Sequence, residues 1–320
     1  MTSSPPATAP PDAPAPGSAS SPVGIAAAIS AVGLWGLGNT LIASVALPGI
    51  AISFYRLLLG AALYLVVLYL RGGHLQRSSF RSGWAGGVAF GLNIATFFAA
   101  LQLTTVANAT TISALQPLVI MAFAAVMFGE RIHPRHIVCA VVATVGVALV
   151  AFGTTRDNSG SIAGDVMAVL ALLTWAWYFI ASKKARTQLD TLEYMTVINI
   201  VAFAVVVPVA LVTGDLLASG SRLDLSDAVR IGLIVLVPGS GHILINWAHN
   251  HTTLVMSSLI TLALPVIATA SAAVFLDQAV ATVQVIGIFT VIAALAAVII
   301  GDARSGTGGL ELAEATEPAP

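Results

Sequence analysis

The sequence predicts an all-α membrane protein whose ten transmembrane helices form two inverted five-helix repeats. First, hydrophobic residues make up 58% of the 320 residues and charged residues only 8%, whereas a soluble domain carries roughly 25% charged residues. Second, the chain divides into ten long apolar runs. Third, a string in the first half has a counterpart in the second half, and such duplication is typical of secondary transporters.

The apolar runs give the predicted spans, because a helix needs about 20 apolar residues to cross the hydrocarbon layer. The spans are predicted at 24–44, 50–70, 84–102, 105–128, 136–153, 163–182, 193–213, 230–248, 253–276 and 281–300. They group into two repeats, each of five spans. The predicted domains are a disordered Pro/Ala-rich tail at 1–22, the first repeat at 23–154, a linker at 155–162, the second repeat at 163–300, and a disordered acidic tail at 301–320.

The duplicated string predicts how the halves are related. ANATTISALQPLV, at Ala107–Val119, aligns without a gap with VMSSLITLALPVI, at Val255–Ile267, and the alignment sets Pro117 against Pro265. Because each half has an odd number of spans, the second half enters the membrane upside down relative to the first. Two such bundles are related by a pseudo-two-fold axis in the membrane plane, and rocking one against the other exposes a central site to each side in turn.

The basic residues predict the orientation. With the N-terminus inside, most of the 13 lysines and arginines lie in inner segments, while the outer loops hold Arg156, Arg222 and Arg230, and Arg56 lies within a span. The positive-inside rule therefore predicts that both termini are cytoplasmic.

Several other functions find no support in the sequence. The net charge of −1, with no polybasic stripe, gives no reason to expect a nucleic-acid partner. The single cysteine, Cys139, excludes an internal disulfide and has no partner cysteine for a metal. We therefore expect no metal and no cofactor.

A family resemblance rests on motifs in a fixed order. They are Trp35-Gly36 with Asn39, Tyr55-Arg56-Leu57, Thr104-Thr105, Asn108, Ser113 with Pro117, and Gly129-Glu130-Arg131. In this order, within ten spans, the sequence resembles the EamA-type transporters of the drug/metabolite transporter superfamily. The resemblance implies a metabolite or drug exporter of the plasma membrane, and it implies no particular substrate. The second half departs from the pattern, because Gln278 stands where the first half has Glu130.

Each matched proline predicts a kink near the membrane centre. Pro117 and Pro265 free the carbonyls four residues earlier, at Ser113 and Thr261, which also carry hydroxyl groups. These positions either line or gate the substrate path, or only shape the packing.

One face of the eighth span carries His242, Asn246 and His249 at helical spacing. The preceding Pro238-Gly239-Ser240-Gly241 predicts a break in that span. His242 and Asn246 either line the path or join helices by hydrogen bonds, and we expect His249 to be exposed to water. Because an imidazole changes charge near neutral pH, we expect either downhill export or proton coupling through His242.

Aromatic and polar residues complete the candidate site. Aromatic side chains of the opening spans form a wall suited to an amphipathic substrate, or else face lipid. Arg56 either snorkels outward or binds a substrate carboxylate. The candidate substrate path comprises Trp35, Asn39, Arg56, Asn93, Ser113, Pro117, Trp175, Tyr178, His242, Asn246, Thr261 and Pro265. Glu130 with Arg131 and Arg135 predicts an ion-paired cytoplasmic corner.

The functional prediction is an integral membrane secondary transporter, not an enzyme. It exports a small organic metabolite, amino-acid-like or amphipathic and aromatic, or a drug, by alternating access. Its expected partners are this small-molecule substrate and the lipid bilayer, and the chain works as a monomer or homodimer. The alternatives are an intramembrane enzyme acting on a lipid-like substrate, for which Ser240 beside His242 is the nearest candidate, and a membrane receptor or assembly protein.

Overall fold

The computed structural model describes residues 20–152, 161–216 and 225–315. Throughout these ranges the regular structure is helical and contains no strand. The helices of the first half are Pro22–Ala43, Gly49–Leu70, Arg77–Leu103, Val106–Ser113, Gln116–Phe128 and Pro134–Phe152. Those of the second half are Ile162–Ala185, Thr191–Thr213, Leu225–Ala248, Leu254–Ile260, Leu264–Phe275 and Thr282–Ala315, with a 3-10 turn at Thr261–Ala263.

In the described ranges these helices make ten membrane spans, because two pairs of short helices each form one broken span. We number them span 1 to span 10 in chain order. The fold-class prediction is confirmed. Span 1 begins and span 10 ends on one side of the bundle, here called the terminus side; the opposite side is called the far side.

The observed boundaries differ from the predicted ones in places. Spans 3 and 8 begin earlier than predicted because their first turns, around Arg77 and Leu225, carry polar residues among apolar ones. Span 10 covers Thr282–Arg304 rather than ending at residue 300, and its helix continues to Ala315. Just beyond residue 300, Asp302 accepts a hydrogen bond from Arg135 Nε at 2.7 Å, which ties the end of span 10 to the start of span 5. The N-terminal tail and the linker fall largely outside the described residues.

The two halves interlock as inverted repeats should. Span 3 packs against spans 6 and 7, and the counterpart of span 3 in the second half, span 8, packs against span 1. Span 2 lies against span 7, and span 5 lies against span 10. Each repeat therefore buries its apolar faces mainly against the other repeat.

The broken spans 4 and 9 follow from their prolines. Pro117 and Pro265 each occupy the first turn of the second half of a broken span. A proline ring lacks an N–H and clashes with the carbonyl four residues earlier, so the helix before it ends. In span 9 the 3-10 turn Thr261–Ala263 joins the two parts.

The predicted break in span 8 is wrong: the helix Leu225–Ala248 runs through Pro238. The Pro-Gly-Ser-Gly segment serves close packing instead. A Cβ built on Gly241 would lie 2.8 Å from Trp35 Nε1, and one on Gly38 would lie 2.6 Å from Pro238 Cβ. Ser240 stays in the helix and donates to the Leu236 carbonyl at 2.6 Å. The small residues let spans 1 and 8 approach each other, as is common between membrane helices.

A Ser-x-x-Gly motif that we did not single out in the sequence opens span 1 and span 6. Ser21 accepts a hydrogen bond from the Gly24 N–H at 3.0 Å and donates to the His251 carbonyl at 2.7 Å. Ser161 accepts from the Gly164 N–H at 3.1 Å and donates to the Leu103 carbonyl at 2.6 Å. Each opening serine therefore caps its own helix. It also ties that helix to the turn before a broken span, which is span 9 for Ser21 and span 4 for Ser161.

Candidate substrate cavity

A cavity of about 390 Å³ lies between the two repeats, on the far-side part of the bundle. Spans 1, 3, 4, 5, 6 and 9 contribute to it. Candidate path residues that line it are Trp35, Asn39, Asn93, Ser113, Trp175, Thr261 and Pro265. Pro117 is not among the lining residues, although it is buried and begins the second half of span 4.

The chemistry of the cavity is apolar with uncharged polar groups. Among the described residues that line it, none carries a formal charge. Asn93 Nδ2 is occupied, because it donates to the Ala171 carbonyl at 2.9 Å. Gln116, which we did not predict, lines the cavity with a buried amide nitrogen that has no hydrogen-bond partner among the described residues. Its position directly before Pro117 is the sequence signal that could have drawn attention to it.

An aromatic pair forms one wall of the cavity. Trp35 of span 1 and Trp175 of span 6 meet edge to face, with ring centroids 5.6 Å apart. Each tryptophan lies 14 residues after the opening serine of its repeat, Trp35 after Ser21 and Trp175 after Ser161. Trp175 also packs on Tyr178 and Phe179, each at 5.3 Å. The inverted repeat thus brings two equivalent tryptophans face to edge near the middle of the bundle.

Tyr178, His242 and Asn246 form a buried polar cluster on the terminus side of this tryptophan pair. Asn246 Nδ2 donates to Tyr178 Oη at 2.8 Å and to the His242 carbonyl at 2.7 Å. The His242 ring lies 4.9 Å from the Trp35 ring, between centroids. None of the three lines the main cavity. Spans 6 and 8 are therefore joined by these side chains through hydrogen bonds.

Arg56 does not snorkel outward, contrary to our first expectation. Its guanidinium lies over the buried Phe90 ring, 5.6 Å from the centroid. With Tyr64, Asn199 and His242 it lines a separate void of about 20 Å³ between spans 2, 3, 7 and 8. The attraction of a cation for an aromatic face, inside the bundle, explains the inward orientation.

The far side of the main cavity leads into a second recess of about 260 Å³. Asn39, Ala268 and Thr269 line both spaces, so they are contiguous. Gln278, the counterpart of Glu130, is exposed and lines this outer recess.

The terminus side is closed by a group that we call the latch: Glu130, Lys183 and the first turn of span 9. The Glu130 carboxylate accepts from Lys183 Nζ at 2.7 Å, and from the backbone N–H groups of Leu254 at 2.7 Å and Val255 at 3.0 Å. A helix N-terminus presents unsatisfied N–H groups and a positive dipole end, which a carboxylate satisfies. The latch joins the end of span 4, in the first repeat, to spans 6 and 9 in the second.

The predicted pairing of Glu130 with Arg131 and Arg135 is therefore wrong. Arg131 is exposed, and Arg135 pairs with Asp302 at 2.7 Å. The sequence shows the charges next to Glu130. It does not show that Lys183 of span 6 and the uncapped N–H groups at the start of span 9 lie beside the carboxylate.

The expectation that His249 is exposed to water is also wrong. His249 is 1% exposed, its ring lies 5.0 Å from the Phe179 ring, and neither ring nitrogen has a partner in the described part of the chain. Arg186 draws this turn into the bundle, since its Nε donates to the Asn246 carbonyl at 3.2 Å. Burial, together with the nearby charges of Lys183 and Arg186, holds the pKa of His249 well below its ordinary value.

This buried imidazole predicts acid sensitivity. Because the pKa of His249 is lowered on folding, the unfolded chain binds more protons below pH about 6.5, and stability is lost as the pH falls through that value. We expect the thermal midpoint in detergent to fall less between pH 7.5 and 5.5 in His249→Gln than in the wild type. His74→Gln, at an exposed loop histidine, is the control and should keep the wild-type slope. Equal slopes in all three proteins would contradict the prediction.

Comparison with known proteins agrees with this architecture. The sequence model of the EamA-like transporter family matches residues 22–152 and 162–300. The chain belongs to this family. The resemblance to EamA-type transporters of the drug/metabolite transporter superfamily is thereby confirmed, and the two matched segments correspond to the two repeats.

The relatives of this EamA-family chain are exporters. The pseudopaline exporter CntI of Pseudomonas aeruginosa is 26% identical over 232 residues, which cover 71% of this chain and 78% of that protein. The aromatic amino acid exporter YddG of Ancylobacter novellus is 30% identical over 107 residues, 32% of this chain and 37% of that protein. A solved crystal structure shares the fold, with a TM-score of 0.75 and 19% identity, over 88% of this chain and 98% of its own. Family and relatives identify the EamA-family chain as a multi-pass membrane exporter.

Proposed function

We propose that this exporter carries a small organic solute that is aromatic or amphipathic and amino-acid-like, by alternating access across the plasma membrane. The tryptophan-walled cavity between the inverted repeats is the observation that carries the proposal. An uncharged cavity of this size accepts an aromatic or aliphatic group on its walls and a polar group on its amides and hydroxyls. Of the two named relatives, one is by name an exporter of pseudopaline and the other an exporter of aromatic amino acids, and the second supports an aromatic solute.

The same geometry supports a direction. With both termini cytoplasmic, the latch seals the cytoplasmic side while the cavity leads outward through Asn39 and Thr269. This is the arrangement of an exporter that has turned its site toward the outside. His242 is enclosed by Trp35, Phe90 and Trp175 rather than facing the cavity, which supports downhill export over proton coupling through it.

The contacts of Ser240 argue against the enzyme alternative. A nucleophilic serine needs a base within hydrogen-bond reach. The Ser240 hydroxyl instead donates to the Leu236 carbonyl at 2.6 Å, and the residue is half-buried, whereas His242 is buried against the aromatic rings.

Transport by purified protein tests the proposal. In proteoliposomes preloaded with phenylalanine, we expect the wild type to exchange labelled phenylalanine chemically unchanged, with or without a pH gradient. Trp175→Ala removes half of the aromatic wall and is expected to slow exchange about tenfold, because loss of such a contact is worth roughly 1.4 kcal/mol. Trp84→Ala, at a tryptophan that is 52% exposed, is the matched control and should exchange at the wild-type rate.

Two outcomes would contradict the proposal as a whole, and a third would contradict its downhill mechanism. A converted product would support an enzyme. Equal rates for Trp175→Ala and Trp84→Ala would show that the tryptophan-walled cavity is not the path. Acceleration by a pH gradient that His242→Gln abolishes would restore proton coupling.

A further inference from the structure

Arg56 is a cation without an acidic partner inside the bundle. It lies roughly 10 Å from the far end of span 2, at 1.5 Å per residue. Within the described ranges, neither an aspartate nor a glutamate forms an ion pair with it. Its guanidinium makes a cation–π contact with the Phe90 ring. A charged side chain at membrane depth is costly and is normally paired or faces water. Aromatic contact alone does not neutralise the charge, so an anion beside the guanidinium would stabilise the site.

The void beside Arg56 has the size of one small ion. Its volume of about 20 Å³ exceeds the roughly 10–15 Å³ that a single water needs. Gly60, Gly239 and Ile234 line it, and Tyr64, Asn199 and His242 supply polar atoms. Trp35 and His242 separate the void from the main cavity, since their rings are in contact. A carboxylate carried by a solute in the cavity would be too large for the void and would be on the wrong side of that wall.

The polar groups around the void leave donors for an anion. The Tyr64 hydroxyl makes only a long hydrogen bond, 3.3 Å, to the Gly239 carbonyl, so it is able to turn toward an anion. Asn199 Nδ2 is already used on the Met195 carbonyl at 2.8 Å. The guanidinium of Arg56 and the hydroxyl of Tyr64 are then the two available donors, one charged and one neutral. Neither donor is suited to a cation.

We propose that the void beside Arg56 binds a monatomic anion of the size of chloride, held by the Arg56 guanidinium and the Tyr64 hydroxyl. The anion neutralises the half-buried cation and fixes the packing of spans 2, 3, 7 and 8. It is a resident ion of the folded protein, separate from the exported solute. The proposal does not depend on the identity of that solute.

Thermal unfolding of the purified full-length protein in detergent tests this site. A ligand that binds only the folded state raises the midpoint progressively once its concentration exceeds the dissociation constant. At constant ionic strength, we expect the wild-type midpoint to rise as sodium chloride replaces sodium gluconate. Bromide should act like chloride, whereas sulfate should not, because it is too large for the void. Equal midpoints in chloride and gluconate, or equal stabilisation by sulfate, would overturn the proposal.

Variants assign the effect to this void. Arg56→Gln should abolish the chloride dependence, while Arg81→Gln, at an exposed arginine of span 3, should keep it in full. Tyr64→Phe retains the charge and the packing, and should raise the half-saturating chloride concentration about fivefold, the effect of losing one hydrogen bond. It serves as the test if Arg56→Gln does not fold. Unchanged chloride dependence in Tyr64→Phe and Arg56→Gln would place the ion elsewhere. Because the readout is binding, failure of transport would leave this result intact.

Discussion

Replacing Glu130 with alanine is expected to lower the free energy of unfolding by about 3 kcal/mol, the cost of removing one partner from a buried ion pair. The side chain of Glu130 is 3% exposed and that of Lys183 19%, so little solvent screening weakens the pair. The variant leaves the Lys183 ammonium with the Thr252 carbonyl, at 3.2 Å, as its recorded acceptor. It also leaves the N–H groups of Leu254 and Val255 without their carboxylate. In detergent, the thermal midpoint should fall by about 6 °C.

A double-mutant cycle isolates the latch from simple loss of charge. Lys183→Met alone should also destabilise, and adding it to Glu130→Ala should cost less than the sum of the single effects. Arg131→Gln, at the exposed neighbouring charge, is the matched control and should shift the midpoint by less than about 1 °C. Additive single effects, or an equally large effect of Arg131→Gln, would show that Glu130 does not act through Lys183.

Alanine at either motif glycine is expected to destabilise the fold by about 2–3 kcal/mol, because the added methyl group meets backbone that has no room to move. A Cβ on Gly164 would lie 2.5 Å from Leu103 C and from Thr104 N. A Cβ on Gly24 would lie 2.5 Å from the His251 carbonyl oxygen. Either substitution pushes the opening helix away from the turn to which its serine is tied.

Gly33 supplies the control within the same helix as Gly24. A Cβ built there meets nothing within 4 Å. Gly33→Ala should therefore leave the midpoint unchanged or raise it slightly, since alanine has the higher helix propensity. Thermal midpoints of the three variants, measured side by side, decide the matter. If Gly24→Ala and Gly164→Ala matched Gly33→Ala, the opening helices would not be pinned at these contacts.

The spans and their inversion were predictable from the sequence because they depend on length and periodic composition. Ten apolar runs, an odd number per half and a pair of matched prolines each have one simple structural reading. The breaks at Pro117 and Pro265 followed from the missing N–H of proline, a local property. The predicted break at Pro238 was wrong, because the small residues around it serve packing against span 1. Their packing partners, Trp35 and Gly38, lie far away in the chain.

The site was only partly predictable for the same physical reason. Trp35 and Trp175 could be selected as aromatic residues of the opening spans, but sequence could not show that their rings meet at 5.6 Å. Three polar residues were selected from the sequence, but their environments were predicted wrongly: Glu130, His249 and Arg56. Each has a partner or an enclosure contributed by another span: Lys183 for Glu130, Phe179 for His249 and Phe90 for Arg56. Tertiary partners of lone polar residues do not follow from local pattern.

Thiol accessibility in intact cells tests most directly whether the tryptophan-walled cavity is an outward-facing transport path. In a Cys139→Ala background, Asn39→Cys places a thiol on the exposed cavity wall, and Asn246→Cys places one behind the tryptophan pair. We predict that a membrane-impermeant maleimide added outside labels Asn39→Cys, that excess phenylalanine slows this labelling, and that Asn246→Cys stays unlabelled. Labelling of Asn39→Cys only in inverted vesicles, or labelling that no solute slows, would contradict the account.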